Sequence, residues 1–239
     1  MNKGFTDGLI QERDKKLTAI TEYFQNKALE GHIFGSLNKG NSDALSDIDI
    51  WLTFKDEDIN QVIDGRFDLY NKFGKVVMFH EAQQNFPLNG VYSLIIYETP
   101  LGLLQIDYYL CPLSSSRIIP DSTVLFEKVS VQRGEMLQDP KRVKRPFNNK
   151  VSFVICMCFV GIKKVVRKDK AFIDFLVSEY SDIKARMFTE LPTVSHTNSS
   201  ETIKEILANL NRVATPEQQK GIKKIREFME KVDKDLVTL

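Results

Sequence analysis

The stretch that decides the fold runs GSLNKGNSDALSDIDI, from Gly35 to Ile50 of a 239-residue chain. In an extended strand alternate side chains share a face, so Asp47 and Asp49 project together while the intervening isoleucines point towards a core. Two carboxylates held side by side repel each other, and a divalent cation removes that repulsion. The pattern therefore predicts a strand that presents a pair of metal-binding acids.

A third acid is expected on a neighbouring strand, and Asp107 meets the requirement. It follows the alternating sequence LLQI, so its side chain faces away from Ile106 and Tyr108 on either side. Carboxylates of this kind suit Mg²⁺, which proteins usually hold with a few acids together with substrate phosphate oxygens. Three acids can bridge two ions about 3.5 to 4 Å apart, one activating the attacking oxygen and the other stabilising the leaving pyrophosphate.

The pair Gly35 and Ser36 comes where a short apolar strand ends and a polar loop begins. Glycine lets the backbone approach a ligand closely, and the backbone N–H groups and the serine hydroxyl can donate to phosphate oxygens. Taken alone, each of these motifs is common in proteins without such a site. Their order and spacing, together with Asp107, predict a phosphate-bearing substrate.

The hydropathy pattern around this stretch predicts a mixed α/β front half. A first helix is expected from Thr6 or Asp7 to Gly31, and a second from Asp56 to Asn71, whose opening acids favour a helix N-terminus. The last two long strands are expected to form an antiparallel hairpin. The strands are predicted at His32 to Phe34, Ile48 to Phe54, Val76 to His80, Val91 to Tyr97, Leu103 to Leu110 and Thr123 to Glu127.

The back half shows helical periodicity only, after a basic stretch from Asp139 to Lys150 that is typical of a linker. We therefore expect an α+β fold: a mixed-sheet domain with flanking helices over 1–138, followed by a helical bundle domain over 139–239. The helices of the second domain are predicted at Asn148 to Arg167, Lys170 to Glu190, Glu201 to Arg212 and Pro216 to Val237.

The charge of the chain is nearly balanced, with 33 basic and 32 acidic side chains, but its halves differ in sign. Residues 1–130 hold 12 basic and 18 acidic residues, and residues 131–239 hold 21 and 14. The balance disfavours a long nucleic acid as partner, although it leaves RNA open. The basic clusters Lys141 to Arg145 and Lys163 to Lys170 are either solvated faces or contacts to phosphate.

The remaining candidate metal ligands, cysteines and histidines, are more simply explained as structural residues. Cys156 and Cys158 lie two apart in an apolar run and cannot chelate one ion in a helix, so we expect core residues in a reducing, cytoplasmic protein. The histidines share no metal-ligand spacing. The longest apolar run is about 12 residues, too short to cross a bilayer, so no membrane partner is expected.

The spacing from Gly35-Ser36 to Asp47 and Asp49, with the later Asp107, resembles the nucleotidyltransferase superfamily typified by DNA polymerase beta. Within it, the helical back half, from Phe159 to Lys164 and on through Ala171, is similar to the bacterial lincosamide and aminoglycoside adenylyltransferases. The resemblance implies a catalytic, metal-binding set of Asp47, Asp49 and Asp107, with Gly35 and Ser36 contacting the triphosphate. Glu98 is a weaker candidate for the general base.

The resemblance implies transfer of AMP, or another nucleoside monophosphate, from ATP or another Mg²⁺-bound triphosphate to a hydroxyl of a small molecule such as an aminoglycoside or lincosamide. Two alternatives stay open: a toxin-linked enzyme that modifies RNA or protein, and a nucleotide-binding module without turnover. The sequence also leaves homodimerisation open.

Overall fold

The computed structural model describes residues 3–38, 40, 42–138, 150–195 and 198–236 of the chain. The chain separates into two compact units: a sheet unit, residues 6–145, and a helical unit, residues 146–239 with residues 1–5. The predicted linker and domain boundary at 138/139 fall at residues 139–149, outside the described residues, as does the basic cluster from Lys141 to Arg145. The boundary therefore stays a prediction.

The sheet unit is built on one six-stranded sheet in the order β3-β4-β5-β2-β1-β6. Of the described strand pairs, only β2 and β5 run parallel, and the others are antiparallel. The α+β class is thus confirmed. The strands are β1 (Glu30–Phe34), β2 (Ile48–Phe54), β3 (Val76–His80), β4 (Val91–Glu98), β5 (Leu103–Pro112) and β6 (Thr123–Glu127).

One face of the sheet packs against helices and forms the main core of this unit. The helices are α1 (Lys3–Phe24), α2 (Ile59–Asp64) and α3 (Arg66–Asn71). The predicted alternation holds here, because Ile48, Ile50 and Ile106 are fully buried in this core together with Phe24 of α1. The acids that alternate with these residues are consequently placed on the opposite face.

Two predicted helix boundaries are wrong. The first helix ends at Phe24 instead of Gly31, because Glu30 already begins β1, which pairs with β2 and β6. The helix predicted from Asp56 to Asn71 is two short helices separated by Gly65, and the first of them starts at Ile59. The high backbone freedom of glycine favours such a break.

The helical unit contains α4 (Lys150–Val166), α5 (Lys170–Met187), α6 (Ser199–Leu210) and α7 (Pro216–Leu236). Helix α4 packs against the other three, so the apolar run predicted to be a buried helix lies at the centre of this unit. Cys156 and Cys158 of α4 are buried and free, as expected for core residues. Within the described residues, no helix combines the length and the apolar character that a membrane span requires.

Candidate active site

Asp49 and Asp107 are direct neighbours on the face of the sheet opposite the helix core. Strands β2 and β5 run parallel, and the register pairs these two residues. Neighbouring strands lie about 4.8 Å apart, so the two side chains leave the same face side by side. The prediction that Asp107 lies on a strand next to the Asp47 and Asp49 pair is confirmed.

Asp47 lies one residue before β2 and completes the group of three acids. Its side chain is half-buried, as is that of Asp49, whereas Asp107 is only 7% exposed. All three acids act electrostatically on the phenol of Tyr109, two residues after Asp107. Burial raises the pKa of Tyr109, and the charges of Asp107, Asp49 and Asp47 raise it further. The three carboxylates therefore share one local environment.

Gly35 touches the carboxylate of Asp49. It follows β1, whose last residue, Phe34, is the register partner of Asp49. Its φ angle is +74°, and a Cβ atom added here would lie 2.2 Å from Oδ2 of Asp49. That distance is far inside van der Waals contact, so this position admits only glycine while the acid keeps its place. The backbone of the loop thus runs directly beside the carboxylate.

Ser36 carries a buried hydroxyl for which the described residues provide no hydrogen-bond partner. A buried polar atom without a partner costs about 1 to 3 kcal/mol. Such a group in a native protein is often one that a ligand satisfies. A phosphate oxygen, which only accepts hydrogen bonds, matches the donor that the hydroxyl offers. Lys39 and Asn41, further along the same loop, lie outside the described residues.

The end of this loop is fixed by Asp43, which was predicted to be a turn residue. Its Oδ1 accepts hydrogen bonds from the backbone of Leu45 at 2.9 Å and from the hydroxyl of Ser46 at 3.2 Å. Its carbonyl oxygen accepts a hydrogen bond from Nη1 of Arg13 at 2.9 Å. These contacts anchor the chain just before Asp47.

Sequence reasoning missed Arg13, although the helix pattern contains its signal. Arg13 falls on the apolar stripe of α1, between Ile10 and Leu17, and it is only 5% exposed. An arginine within an apolar stripe is expected to have a specific partner, because burial of an unpaired charge is unfavourable. The guanidinium ties α1 to the loop that carries the first acid.

The carboxylate of Asp107 accepts two hydrogen bonds from buried neighbours that the sequence did not indicate. The hydroxyl of Tyr92 donates to Oδ2 at 3.1 Å, and Nε2 of Gln105 donates to Oδ1 at 2.9 Å. Burial raises the pKa of Tyr92 well above its usual value, and the negative charge of Asp107 adds to the shift. The phenol therefore stays protonated at neutral pH and remains a donor.

Next to the acids, a row of aromatic rings crosses four strands. His32, Trp51, Tyr109 and Tyr92 are successive register partners on β1, β2, β5 and β4. The ring centroids of Trp51 lie 5.9 Å from those of His32 and 5.6 Å from those of Tyr109, and both pairs are nearly parallel. This aromatic row is largely buried, and it lies beside the acids on the same face of the sheet.

His32 is structural, as expected. Its Nδ1 lies 2.7 Å from Oε1 of the buried Glu30, and its Nε2 lies 3.4 Å from the backbone nitrogen of Ile119. The other carboxylate oxygen of Glu30 accepts a hydrogen bond from Thr53 at 2.8 Å. Both ring nitrogens are therefore engaged within the fold.

Mg²⁺ fits the site by the chemistry of its donors. Three carboxylates on one sheet face, beside a hydroxyl without a partner among the described residues, are oxygen donors of the kind that this ion prefers. Among the described residues, however, no set of three or more His, Cys, Asp or Glu side chains is already arranged as a metal-ligand cluster. The number of ions and the identity of the triphosphate stay predictions.

Glu98 and Lys164 form ion pairs with other residues. Glu98 forms an ion pair with Lys75 at 2.7 Å and lies four residues along β4 from Leu94, the register partner of Asp107. That separation is about 13 Å along the strand, too far for the base of this site. In the helical unit, Lys164 pairs with Asp169 at 3.0 Å.

Searches of known proteins give little beyond this geometry. No family model and no curated protein match the chain. One solved structure that is similar is described as a STING-associated CdnE c-di-GMP synthase from Capnocytophaga granulosa, with 12% sequence identity and a TM-score of 0.29. The match covers 98% of this chain and 83% of that one. A similarity of this size carries no functional argument.

Proposed function

We propose that the sheet unit transfers a nucleoside monophosphate from a nucleoside triphosphate to a hydroxyl group and releases pyrophosphate. One observation carries the proposal: Asp49 and Asp107 stand in register on adjacent parallel strands while Gly35 runs against the carboxylate of Asp49. This arrangement places two anionic oxygen donors beside the loop that we propose binds phosphate. Neither a solvated strand edge nor an ordinary turn requires it.

Each residue has a defined role in this proposal. Asp47, Asp49 and Asp107 hold divalent metal, and Gly35 and Ser36 bind the triphosphate through a backbone N–H and a hydroxyl. When bound, Mg²⁺ supplies positive charge that makes the acceptor hydroxyl a better nucleophile and stabilises the leaving pyrophosphate. The aromatic row fixes the strands on which the acids stand, so their positions need little reorganisation during the reaction.

The second part of the proposal concerns which molecule provides the acceptor hydroxyl. We propose a small-molecule hydroxyl, and aminoglycosides and lincosamides are the first acceptors to test because of the sequence resemblance. The three free, buried cysteines fit a reducing compartment such as the cytoplasm. A polynucleotide, a protein or a second nucleotide can also offer a hydroxyl, so each belongs in the same assay.

The test is incubation of the full chain with Mg²⁺ and each common nucleoside triphosphate, with and without acceptors, including tRNA. Pyrophosphate release and mass spectrometry of the acceptors report the reaction. We expect an acceptor mass increased by one nucleoside monophosphate. If no triphosphate yields pyrophosphate with any acceptor and nucleotide binding is indifferent to Mg²⁺, the chain is a binding module and the proposal is wrong.

A pair of variants separates the acids from general charge effects. Asp49→Asn removes a proposed metal ligand and is expected to lower turnover by about a hundredfold or more. Asp58→Asn makes the same chemical change at an exposed residue before α2 whose side chain makes no capping hydrogen bond. Full activity of the Asp49 variant would contradict the metal assignment.

A further inference from the structure

Asp107 is the most buried of the three acids, and hydrogen bonds fix its carboxylate. Both of its oxygens accept a hydrogen bond from the protein, one from Tyr92 and one from Gln105. The two donors are 5% and 4% exposed, respectively. Each carboxylate oxygen has a second lone pair, so these contacts orient the group and leave it able to bind a cation.

The two donors are themselves fixed by the sheet. Gln105 lies two residues before Asp107 on the same face of β5. Tyr92 lies on β4, where its ring packs against Tyr109 with centroids 4.9 Å apart. Because each donor belongs to a strand and is enclosed by neighbours, neither can turn away from the carboxylate without disturbing the packing.

We propose that Tyr92 and Gln105 are positioning residues that set the carboxylate plane of Asp107 for metal binding. The inference rests on the proposed function, since it assigns the metal to the three acids. Hydrogen bonds from outer residues orient metal-binding carboxylates in proteins, and loss of such a partner typically reduces metal affinity or activity 10- to 100-fold. Neither residue contacts the triphosphate in this proposal.

The chain offers a matched control in Tyr97, a second buried tyrosine of β4. It lies five residues from Tyr92, an odd number, so it faces the helix core. Its hydroxyl donates to the backbone oxygen of Tyr70 at 3.1 Å and lies 3.3 Å from the hydroxyl of Tyr108. Tyr97→Phe thus removes a buried hydroxyl from the same strand without touching an acid.

The experiment measures binding of Mn²⁺ alone, up to millimolar concentrations, from the loss of the free-ion signal in electron paramagnetic resonance. Full-length wild type is compared with Tyr92→Phe, Gln105→Leu, Asp107→Asn and Tyr97→Phe. We expect affinity to fall about tenfold in the first two variants. Asp107→Asn should show the larger loss. Tyr97→Phe should bind as wild type does, even where chemical denaturation shows it to be less stable.

The outcomes distinguish the inference from the proposed function. If wild type does not bind Mn²⁺, or binds it independently of Asp107, the metal assignment fails and the positioning role fails with it. If binding depends on Asp107 but is unchanged in both Tyr92→Phe and Gln105→Leu, the positioning role alone is wrong. Equal weakening in Tyr97→Phe would show a general packing effect and would also overturn the inference.

Discussion

The two faces of the sheet use the same strands for different purposes. On the core face, Ile48, Ile50 and Ile106 are fully buried against helices, and what matters there is apolar area and volume. On the acid face, Asp49 and Asp107 alternate with them, and both carboxylate oxygens of Asp107 accept hydrogen bonds from specific side chains. One face therefore tolerates exchange among apolar residues of similar size, whereas the other depends on particular atoms.

The comparison shows what each kind of burial contributes. Apolar burial on the core face supplies much of the folding free energy, while the buried polar groups of the acid face require hydrogen bonds to be tolerated at all. We therefore expect substitutions on the core face to change stability, and substitutions on the acid face to change activity more than stability. The following experiments test that division.

The largest effect is expected on the core face. Ile106→Ala removes a fully buried side chain next to Asp107 in sequence, and we expect the free energy of unfolding to fall by about 2 to 5 kcal/mol. Urea denaturation measures the change. Turnover per folded molecule should stay close to that of wild type, and Ile106→Val should cost only about 0.5 to 1.5 kcal/mol. A large loss of turnover in a stably folded Ile106→Val protein would contradict the separation of the faces.

Among the substitutions of this section, Gly35→Ala is expected to lower turnover the most. The added Cβ collides with the Asp49 carboxylate, so turnover is expected to fall by about a hundredfold, as when one preorganised group is lost. Gly40 is a matched control in the same loop, because its φ angle is +67° but a Cβ there meets nothing within 4 Å. Both variants carry the same backbone strain of about 1 to 2 kcal/mol. Steady-state kinetics should show a larger loss of turnover in Gly35→Ala than in Gly40→Ala. Equal losses of turnover would mean that backbone strain, and not the collision with Asp49, causes them.

Ser36→Ala tests the buried hydroxyl for which the described residues offer no hydrogen-bond partner. We expect the KM for the triphosphate to rise about tenfold, since one hydrogen bond to a charged ligand is lost. The free energy of unfolding should be unchanged or slightly higher, because the substitution removes a buried hydroxyl that bonds to none of the described residues. Ser46→Ala is the comparison, since that hydroxyl bonds Asp43 and its loss should reduce stability. An unchanged KM in Ser36→Ala would remove this residue from the site.

The smallest effect concerns pH. Burial raises the pKa of the Cys111 thiol from 9.0 to about 12. Because the pKa of this thiol is higher in the folded state than in the unfolded state, its contribution to the free energy of unfolding is complete below pH 9. That contribution is lost as the pH rises towards 12. From this residue we expect a decrease of up to about 1.4 kcal/mol per pH unit.

Urea denaturation between pH 8 and 10 measures this slope, which Cys111→Ala should reduce. Cys158, whose pKa burial also raises, contributes equally to both proteins. Ser115→Ala keeps the thiol and should retain most of the slope. Identical slopes for wild type and Cys111→Ala would show that the thiol does not titrate differently on folding.

Short runs rich in apolar and β-branched residues predict the strands well, because most strand positions are buried. The predicted bounds of β2, from Ile48 to Phe54, match the structure, as do those of β3 and β6. The end of α1 was harder to predict, since the residues from Phe24 to Glu30 are compatible with a continuing helix until β1 pairs with its neighbours. Pairing between distant segments is not encoded in local periodicity.

The acids themselves could be predicted from their spacing, but their environment could not. That Asp107 pairs in register with Asp49 depends on strand order, which nothing in either segment specifies. Tyr92 lies in a strand that is buried along nearly its whole length, so its sequence does not distinguish the acid face from the core face. The sequence shows that Gln105 is a polar residue two positions before Asp107, but it does not show that Gln105 is buried.

The parallel pairing of β2 with β5 also has a consequence for synthesis of the chain. The paired acids Asp49 and Asp107 are separated by 58 positions, and α2, α3, β3 and β4 all lie between them. A nascent chain that has exposed only its first hundred residues therefore has the first two acids and the Gly35-Ser36 loop but lacks Asp107. Under the proposed function, a product truncated before β5 is expected to be inactive.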